Sequence, residues 1–288
     1  MSNDPVASNL PAIVGVLGGG RMGAGIAHAF LTSGATVTVV ERDRESADAA
    51  YARVADSVDK SLARGAVAES RDELLARFST STDYADFAAA GLVIEAVPEI
   101  WELKISSLQA VEAVLAPEAI LASNTSSLSV TGMAEKLQRP ANFLGLHFFN
   151  PVPASTLIEV VIGKQTAQEL VPASRGWVAA LGKTAVVVND APGFASSRLG
   201  VAIALEAMRM VEEGVASAED IDNAMVLGYK HPTGPLKTTD IVGLDVRLGI
   251  AEYLHETLGD RFAPPQILKD LVAEGKLGRK AGQGFYSW

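Results

Sequence analysis

Apolar residues fall along the chain in two rhythms. Short runs bounded by glycine, proline or polar residues occur at 12–17 (AIVGVL), 37–40, 92–97 (LVIEAV), 119–123, 143–146 and 186–188. Runs this short, with little polar alternation, read as strands buried on both faces. Between them lie stretches with helical spacing. One contains Ile26, Ala27, Ala29 and Phe30, another spans 45–64 with a polar face, and a charged one lies around 70–77. A fourth spans 99–114, with Leu103, Leu108 and Val111 as its apolar stripe. Strands alternating with helices predict an α/β fold, a Rossmann-type doubly wound, mostly parallel sheet. Ligands of such sheets bind beyond the carboxyl ends of the strands. Gly18, Glu99, Ser126 and His147 all stand at or just past the ends of apolar runs and are expected on one rim.

Near 190 the rhythm changes. Residues 194–213 keep a helical pattern (Leu199, Ile203, Leu205, Met208, Val211), and Ser217 is placed to cap a helix over 218–227. Gly228, Pro232, Gly234 and Pro235 read as a loop, and 242–258 and 265–274 as further helices. The pattern predicts two domains, 1–189 and an all-helical 190–288. So apolar a helical domain buries its stripes internally or against a copy of itself, so a homodimer through it is expected.

Charge and composition narrow the partners. The 288 residues carry a formal net charge of -10 without a Lys/Arg cluster, which argues against nucleic acid or an anionic membrane as partner. The chain contains no cysteine, which removes disulfides and thiolate metal sites, and no H-x-x-x-H spacing suggests a metal site of another kind. Residues 1–12 lack a basic n-region and an apolar core, and no apolar stretch matches a spanning helix. A soluble, cytoplasmic protein is expected.

The first strand runs into Gly18-x-Gly20-x-x-Gly23, a helix follows, and Glu41 closes the second strand at the distance a dinucleotide fingerprint requires. Gly18 permits the tight turn, Gly20 lets a pyrophosphate approach the backbone, and Gly23 lets the helix pack closely. Glu41 suits a ribose 2′-hydroxyl and favours NAD, while the neighbouring Arg42 is the residue able to accommodate a 2′-phosphate. His147, at the end of an apolar run, and Glu159, beyond a loop holding Asn150, Pro151 and Pro153, form a candidate proton-transfer pair. A histidine at a strand end is also a common structural residue. His28 is read as a helix-face residue, His231 as turn surface, and His255 as part of a solvated helix beside Glu252 and Glu256. Trp101 fits either an ordinary packing contact or the floor of a cleft, and Lys60 with Arg64 either a solvated face or a phosphate contact.

The segments GGGRMG (18–23), VIEAVPE (93–99), ASNTSSL (122–128), GLHFFNPVP (145–153), DAPGF (190–194) and GRKAGQGFYSW (278–288) follow one another in this order. Together they resemble the L-3-hydroxyacyl-CoA dehydrogenase family, including its short-chain 3-hydroxybutyryl-CoA members, over nearly the whole chain. The resemblance implies His147 as catalytic base, Glu159 as the acid that orients it, and Ser126 beside the substrate oxygen and nicotinamide. It implies that Glu41, Glu99, Lys104, Asn150 and Lys280 contact NAD, with Ser61 and Ser197 at positions that meet the acyl-CoA. Three positions depart from the family: Ser197 where asparagine is common, Ala68 where a CoA-binding lysine is often found, and Ala281 for a hydroxyl residue.

The function expected is NAD-dependent, reversible oxidation of an L-3-hydroxyacyl-CoA to the 3-oxoacyl-CoA, in fatty-acid or aromatic-acid breakdown. A dehydrogenase of a non-CoA 3-hydroxy acid on the same fold is the alternative. A non-catalytic NAD-binding protein ranks below both, because fold stability alone does not require Ser126, His147 and Glu159 on one rim.

Overall fold

A computed structural model of the chain describes residues 10–288. The reading of the N-terminal segment therefore lies mostly outside the described residues. The chain divides into two compact units, Met1–Asp190 and Ala191–Trp288.

The first unit is built on an eight-stranded sheet of order β3-β2-β1-β4-β5-β6-β7-β8. In chain order it runs β1 (Ile13–Leu17), α1 (Arg21–Thr32), β2 (Thr36–Val40), α2 (Arg44–Ala63), α3 (Arg71–Leu75), β3 (Phe78–Ser81), β4 (Leu92–Glu95) and α4 (Trp101–Val114). Then come β5 (Ile120–Ser123), α5 (Val130–Ala134), β6 (Phe143–Phe148), β7 (Leu157–Ile162), α6 (Leu170–Ala180) and β8 (Thr184–Asn189). All neighbouring strands pair in parallel except β6 and β7. Strand order reverses between β1 and β4, the position at which doubly wound sheets open a ligand crevice. The central strands are largely apolar because helices cover both faces. Val14, Val16, Val37, Val39, Leu92 and Ile94 are fully buried with Ile26, Phe30 and Val54 of the helices.

Several elements differ from the sequence reading. The segment around 70–77 holds the short helix α3, whose Ser70 and Glu73 form a capping box, and it leads into β3. That strand, FSTS, carries too little apolar signal to stand out. Leu103 is 38% exposed, while Lys104, Ser107, Leu108, Val111 and Glu112 are the residues α4 buries. The helix is rotated about its axis relative to the expected stripe because Lys104 points inward to a buried carboxylate.

The second unit holds α7 (Ser196–Glu212), α8 (Ala218–Asn223), α9 (Pro235–Val242), α10 (Leu244–Leu258) and α11 (Gln266–Ala273). Ser217 caps α8 by accepting from Asp220 N. Pro235 is not loop but the first residue of α9, where its missing N–H costs nothing. Gly243, at φ 109°, separates α9 from α10, so the helix expected over 242–258 begins at Leu244 and Val242 ends the helix before it. Leu205, Met208, Leu236, Leu244 and Leu254 centre this unit's own core. Leu199 and Ile203, expected in the stripe of α7, are exposed. No helix among the described residues is long and apolar enough to cross a membrane.

Candidate active site

The glycine turn after β1 is fixed by its own stereochemistry. Gly18 has φ +90°, a conformation that penalises any side chain, and a Cβ on Gly23 would lie 1.8 Å from the Gly18 carbonyl oxygen. A Cβ on Gly19 would come within 2.3 Å of Ala50 Cβ, so this glycine lets α2 close on the turn. A Cβ on Gly20 would meet no protein atom within 4 Å, so its bare backbone faces open space. The helix α1 that starts there has no side-chain cap and no acid in its first turn. Its first N–H groups and positive dipole end suit a pyrophosphate.

Two side chains hold this turn. Glu41 Oε1 accepts from Gly19 N at 2.6 Å, and Arg53 Nη1 of α2 donates to the Gly19 carbonyl at 3.1 Å. Arg53 gave no signal in the sequence, since it stands in an exposed polar helix face. Arg42 pairs with Asp43 at 3.0 Å, and its side chain is 84% exposed. The turn, the open face at Gly20 and an acid at the end of β2 together fit a dinucleotide whose ribose carries a free 2′-hydroxyl.

Next along the rim, Glu99 organises the turn after β5. Its Oε1 accepts from Thr125 Oγ1 (2.5 Å), Ser126 N (2.9 Å) and Ser127 N (3.1 Å). Burial pushes the Glu99 carboxyl up, but Lys104 and these hydrogen bonds outweigh it and hold the pKa below the usual carboxylate value. Lys104 is 1% exposed, and its ammonium is spent on Glu95 Oε1 (2.7 Å), the Val97 carbonyl (3.1 Å) and Glu99 Oε2 (3.2 Å). Its three donors are occupied by these groups, and through them it places Glu99.

His147 and Glu159 are brought together by register. The antiparallel pairing of β6 with β7 sets them directly opposite each other on one face, with Nδ1 and Oε2 2.8 Å apart. Both are buried, His147 at 6% and Glu159 at 0% exposed. Gly145 shares their face, and its missing Cβ leaves room for Val161 and for Val130 of α5. Leu144, Leu146 and Phe148 alternate onto the other face and anchor the strand in the core. The Phe149 ring lies 4.4 Å from that of His147. Asn124 Oδ1 accepts from Phe148 N at 2.8 Å and ties the ends of β5 and β6 together. Lys183, before β8, donates to the carbonyls of Val152 (2.7 Å) and Ser155 and so holds the loop that follows His147.

Strands β1, β4, β5 and β6 are adjacent and parallel. The glycine turn, Glu99, Ser126 and His147 thus share one rim of the first unit. Asn150 lies exposed in the loop that starts there. Ser61, on α2, bonds His28 Nε2 at 2.9 Å, and His28 is buried on the face of α1 that meets α2. Lys60 pairs with Asp56 on the helix surface. Trp101 packs its ring edge against Gly132 of α5. Ser197 and Lys280 belong to the second unit, where Lys280 Nζ is held by Asp245 at 2.6 Å. Among the described residues no three His, Asp or Glu side chains are grouped to hold a metal ion.

The sequence profile of the 3-hydroxyacyl-CoA dehydrogenase NAD binding domain matches residues 13–191, and that of the 3-hydroxyacyl-CoA dehydrogenase C-terminal domain matches 193–288. The chain belongs to the 3-hydroxyacyl-CoA dehydrogenase family. This dehydrogenase is 42% identical to a probable 3-hydroxybutyryl-CoA dehydrogenase of Deinococcus radiodurans, over 95% of this chain and 99% of the relative. It is 39% identical to the 3-hydroxybutyryl-CoA dehydrogenase of Mycobacterium tuberculosis, over 96% and 98% of the two chains. The crystal structure of (S)-3-hydroxybutyryl-CoA dehydrogenase from Ralstonia eutropha superposes with a TM-score of 0.92 at 38% identity, covering 96% of the dehydrogenase and 99% of that chain. The dehydrogenase is thus an NAD-dependent oxidoreductase, and its first unit is the family's NAD-binding domain.

Proposed function

We propose that the dehydrogenase interconverts an L-3-hydroxyacyl-CoA and its 3-oxoacyl-CoA, with His147 as the proton-transfer residue and Glu159 as its orienting partner. The observation that carries this reading is the buried His147–Glu159 pair at 2.8 Å on the rim that holds the glycine turn. A carboxylate only accepts hydrogen bonds, so Nδ1 carries the shared proton and Nε2 is the basic nitrogen. In oxidation Nε2 takes the proton of the 3-hydroxyl, and Glu159 stabilises the imidazolium that results. In reduction the same imidazolium returns that proton to the oxygen at C3. NAD, held by the glycine turn, Glu41 and Glu99, supplies the hydride acceptor when bound. The Ser126 hydroxyl hydrogen-bonds the substrate oxygen, which strengthens as negative charge develops there. Glu99 fixes the backbone that presents Ser126.

Asn150 and Lys280 complete the cofactor contacts in this reading, and Ser61 and Ser197 meet the acyl-CoA. The helical unit also self-associates: Leu199 and Val246 leave 63% and 44% of their surface exposed, which suits burial against a second copy. A sedimentation experiment that finds only monomer at micromolar concentration overturns that part. The absence of cysteine fits a reducing compartment, and the reading places the enzyme in the cytoplasm, in acyl-CoA breakdown.

The test is the loss of NADH absorbance with acetoacetyl-CoA, run beside longer 3-oxoacyl-CoAs and the corresponding free acids. NADH consumption with the thioesters and none with the acids is expected. Turnover of free acids alone moves the enzyme to non-CoA substrates, and no turnover with any of them overturns the reading.

A further inference from the structure

The side chain of Asn124, just past β5, carries a donor that the fold does not use. The residue is 9% exposed, and its backbone N–H extends the pairing with β4 by donating to the Glu95 carbonyl at 2.8 Å. Strand β5 ends with Ser123 opposite Gly145, while β6 continues to Phe148. Asn124 Oδ1 takes the place of the missing strand there, accepting from Phe148 N at 2.8 Å. A backbone N–H only donates, which fixes the atom facing it as oxygen and turns Nδ2 away. Nδ2 bonds no described residue, and unlike the orphaned atoms of His28, Arg77 and Arg247 it is not sealed from solvent. Asn124 therefore presents an oriented, unused N–H donor between Ser126, two residues along, and His147, on the next strand.

What this donor meets follows from the order of the strands. Glu41 closes β2 and the glycine turn closes β1; β4 and β5 come next, and then β6 with His147. Neighbouring strands lie about 4.8 Å apart, which sets the end of β5 about 10 Å from the glycine turn. A dinucleotide with its adenosine ribose at Glu41 and its pyrophosphate at that turn extends its nicotinamide half towards β5. The substrate oxygen has to reach His147, one strand further on. The carboxamide oxygen is the acceptor that a nicotinamide ring carries. Once the ring covers Asn124, Nδ2 loses water, and a desolvated donor without an acceptor is costly.

We propose that Asn124 is a cofactor-binding residue whose Nδ2 donates to the carboxamide oxygen of the nicotinamide, while its Oδ1 keeps hold of β6. One side chain then ties the ring that accepts hydride to the strand that carries His147. The inference rests on the reading above in placing the ring beside His147. NAD dependence itself belongs to the family.

The test is titration calorimetry with NADH and with ADP-ribose, which keeps the adenosine, the pyrophosphate and the second ribose but lacks the nicotinamide. Asn124→Asp retains an oxygen for Phe148 N and removes the donor, and the reduced ring carries no charge for the new carboxylate to act on. The variant is expected to bind NADH about tenfold more weakly and ADP-ribose as wild type does. Equal weakening of both ligands would mean that Asn124 only holds the strand ends, and overturns the proposal. Unchanged NADH affinity also overturns it; slower reduction of acetoacetyl-CoA alongside would move the donor to the substrate oxygen. If the variant fails to fold, wild type is titrated with NADH and its thionicotinamide analogue, whose sulfur is the weaker acceptor. Weaker binding of the analogue is expected, and equal binding overturns the proposal. An enzyme that loses NADH affinity in Asn124→Asp, yet whose wild type reduces no 3-oxoacyl-CoA, counts against the substrate reading and leaves this one standing.

Discussion

The position of one proton decides what His147 does. With Glu159 Oε2 2.8 Å from Nδ1, the carboxylate fixes the tautomer that leaves Nε2 basic. Glutamine at 159 offers an amide donor to Nδ1 and can reverse that tautomer. Glu159→Gln is therefore expected to lower kcat by about 10²–10⁴-fold, with NAD affinity little changed, as steady-state kinetics and a fluorescence titration would read. A small kcat effect with a large loss of NAD affinity would place Glu159 in the cofactor site. Gly23→Ala belongs to the same scale. Its methyl group would fall 1.8 Å from the Gly18 oxygen, so the turn must open, costing about 1–3 kcal/mol of stability along with NAD affinity. A thermal melt and a Kd measured on one preparation check both. These residues were legible because polar groups and glycines interrupt apolar runs. The register that sets His147 opposite Glu159 was not, because it depends on β7 running antiparallel, and nothing in 157–162 announces a direction. Arg53, Asn124 and Lys183 were silent, since a residue that holds a backbone carbonyl or N–H needs no motif.

Among the elements, α4 shows how a buried charge overrides an apolar stripe. Lys104 takes the inward position next to Leu108 and Val111, and Leu103 turns to solvent. Glu95, at 0% exposed, accepts from Lys104, Ser123 Oγ and Val97 N, so β4, β5 and α4 converge on one carboxylate. Removing one partner of such a pair leaves the other buried and uncompensated. Lys104→Met is expected to cost about 3–5 kcal/mol in urea denaturation, with part of the loss recovered when Glu95→Gln is added. A variant as stable as wild type would mean the pair contributes nothing to the fold. Hydrophobic rhythm located the central strands because both of their faces are apolar. It passed over β3, whose FSTS has a single apolar residue at the sheet edge, and α9, whose start looked like loop because Gly234 and Pro235 are also a helix N-terminus signature.

For the molecule as a whole, pH acts through the packing between α1 and α2. Burial, with a contribution from the Lys183 charge, holds the His28 pKa below its ordinary value of 6.5, a shift that the Ser57 carbonyl opposes without reversing. A depressed folded-state pKa contributes stability that is fully present above the unfolded value and is lost as pH falls towards the folded one. The melting temperature is expected to decline as pH drops below about 6.5, and His28→Gln to flatten that decline. An unchanged slope would show that another group sets it. Fold class and the candidate rim followed from strand–glycine–helix order, since a doubly wound sheet gathers its strand ends whatever the loops contain. The burial of Lys104 and Arg247 went unnoticed because burial of a cation cannot be read from spacing. The role of His147 is tested most directly by comparing wild type with His147→Gln for NADH oxidation by acetoacetyl-CoA, with NADH affinity measured on the same samples. His147→Gln is expected to be slower by about 10²–10⁴-fold at unchanged NADH affinity; a variant that turns over like wild type would show that His147 does not transfer the proton.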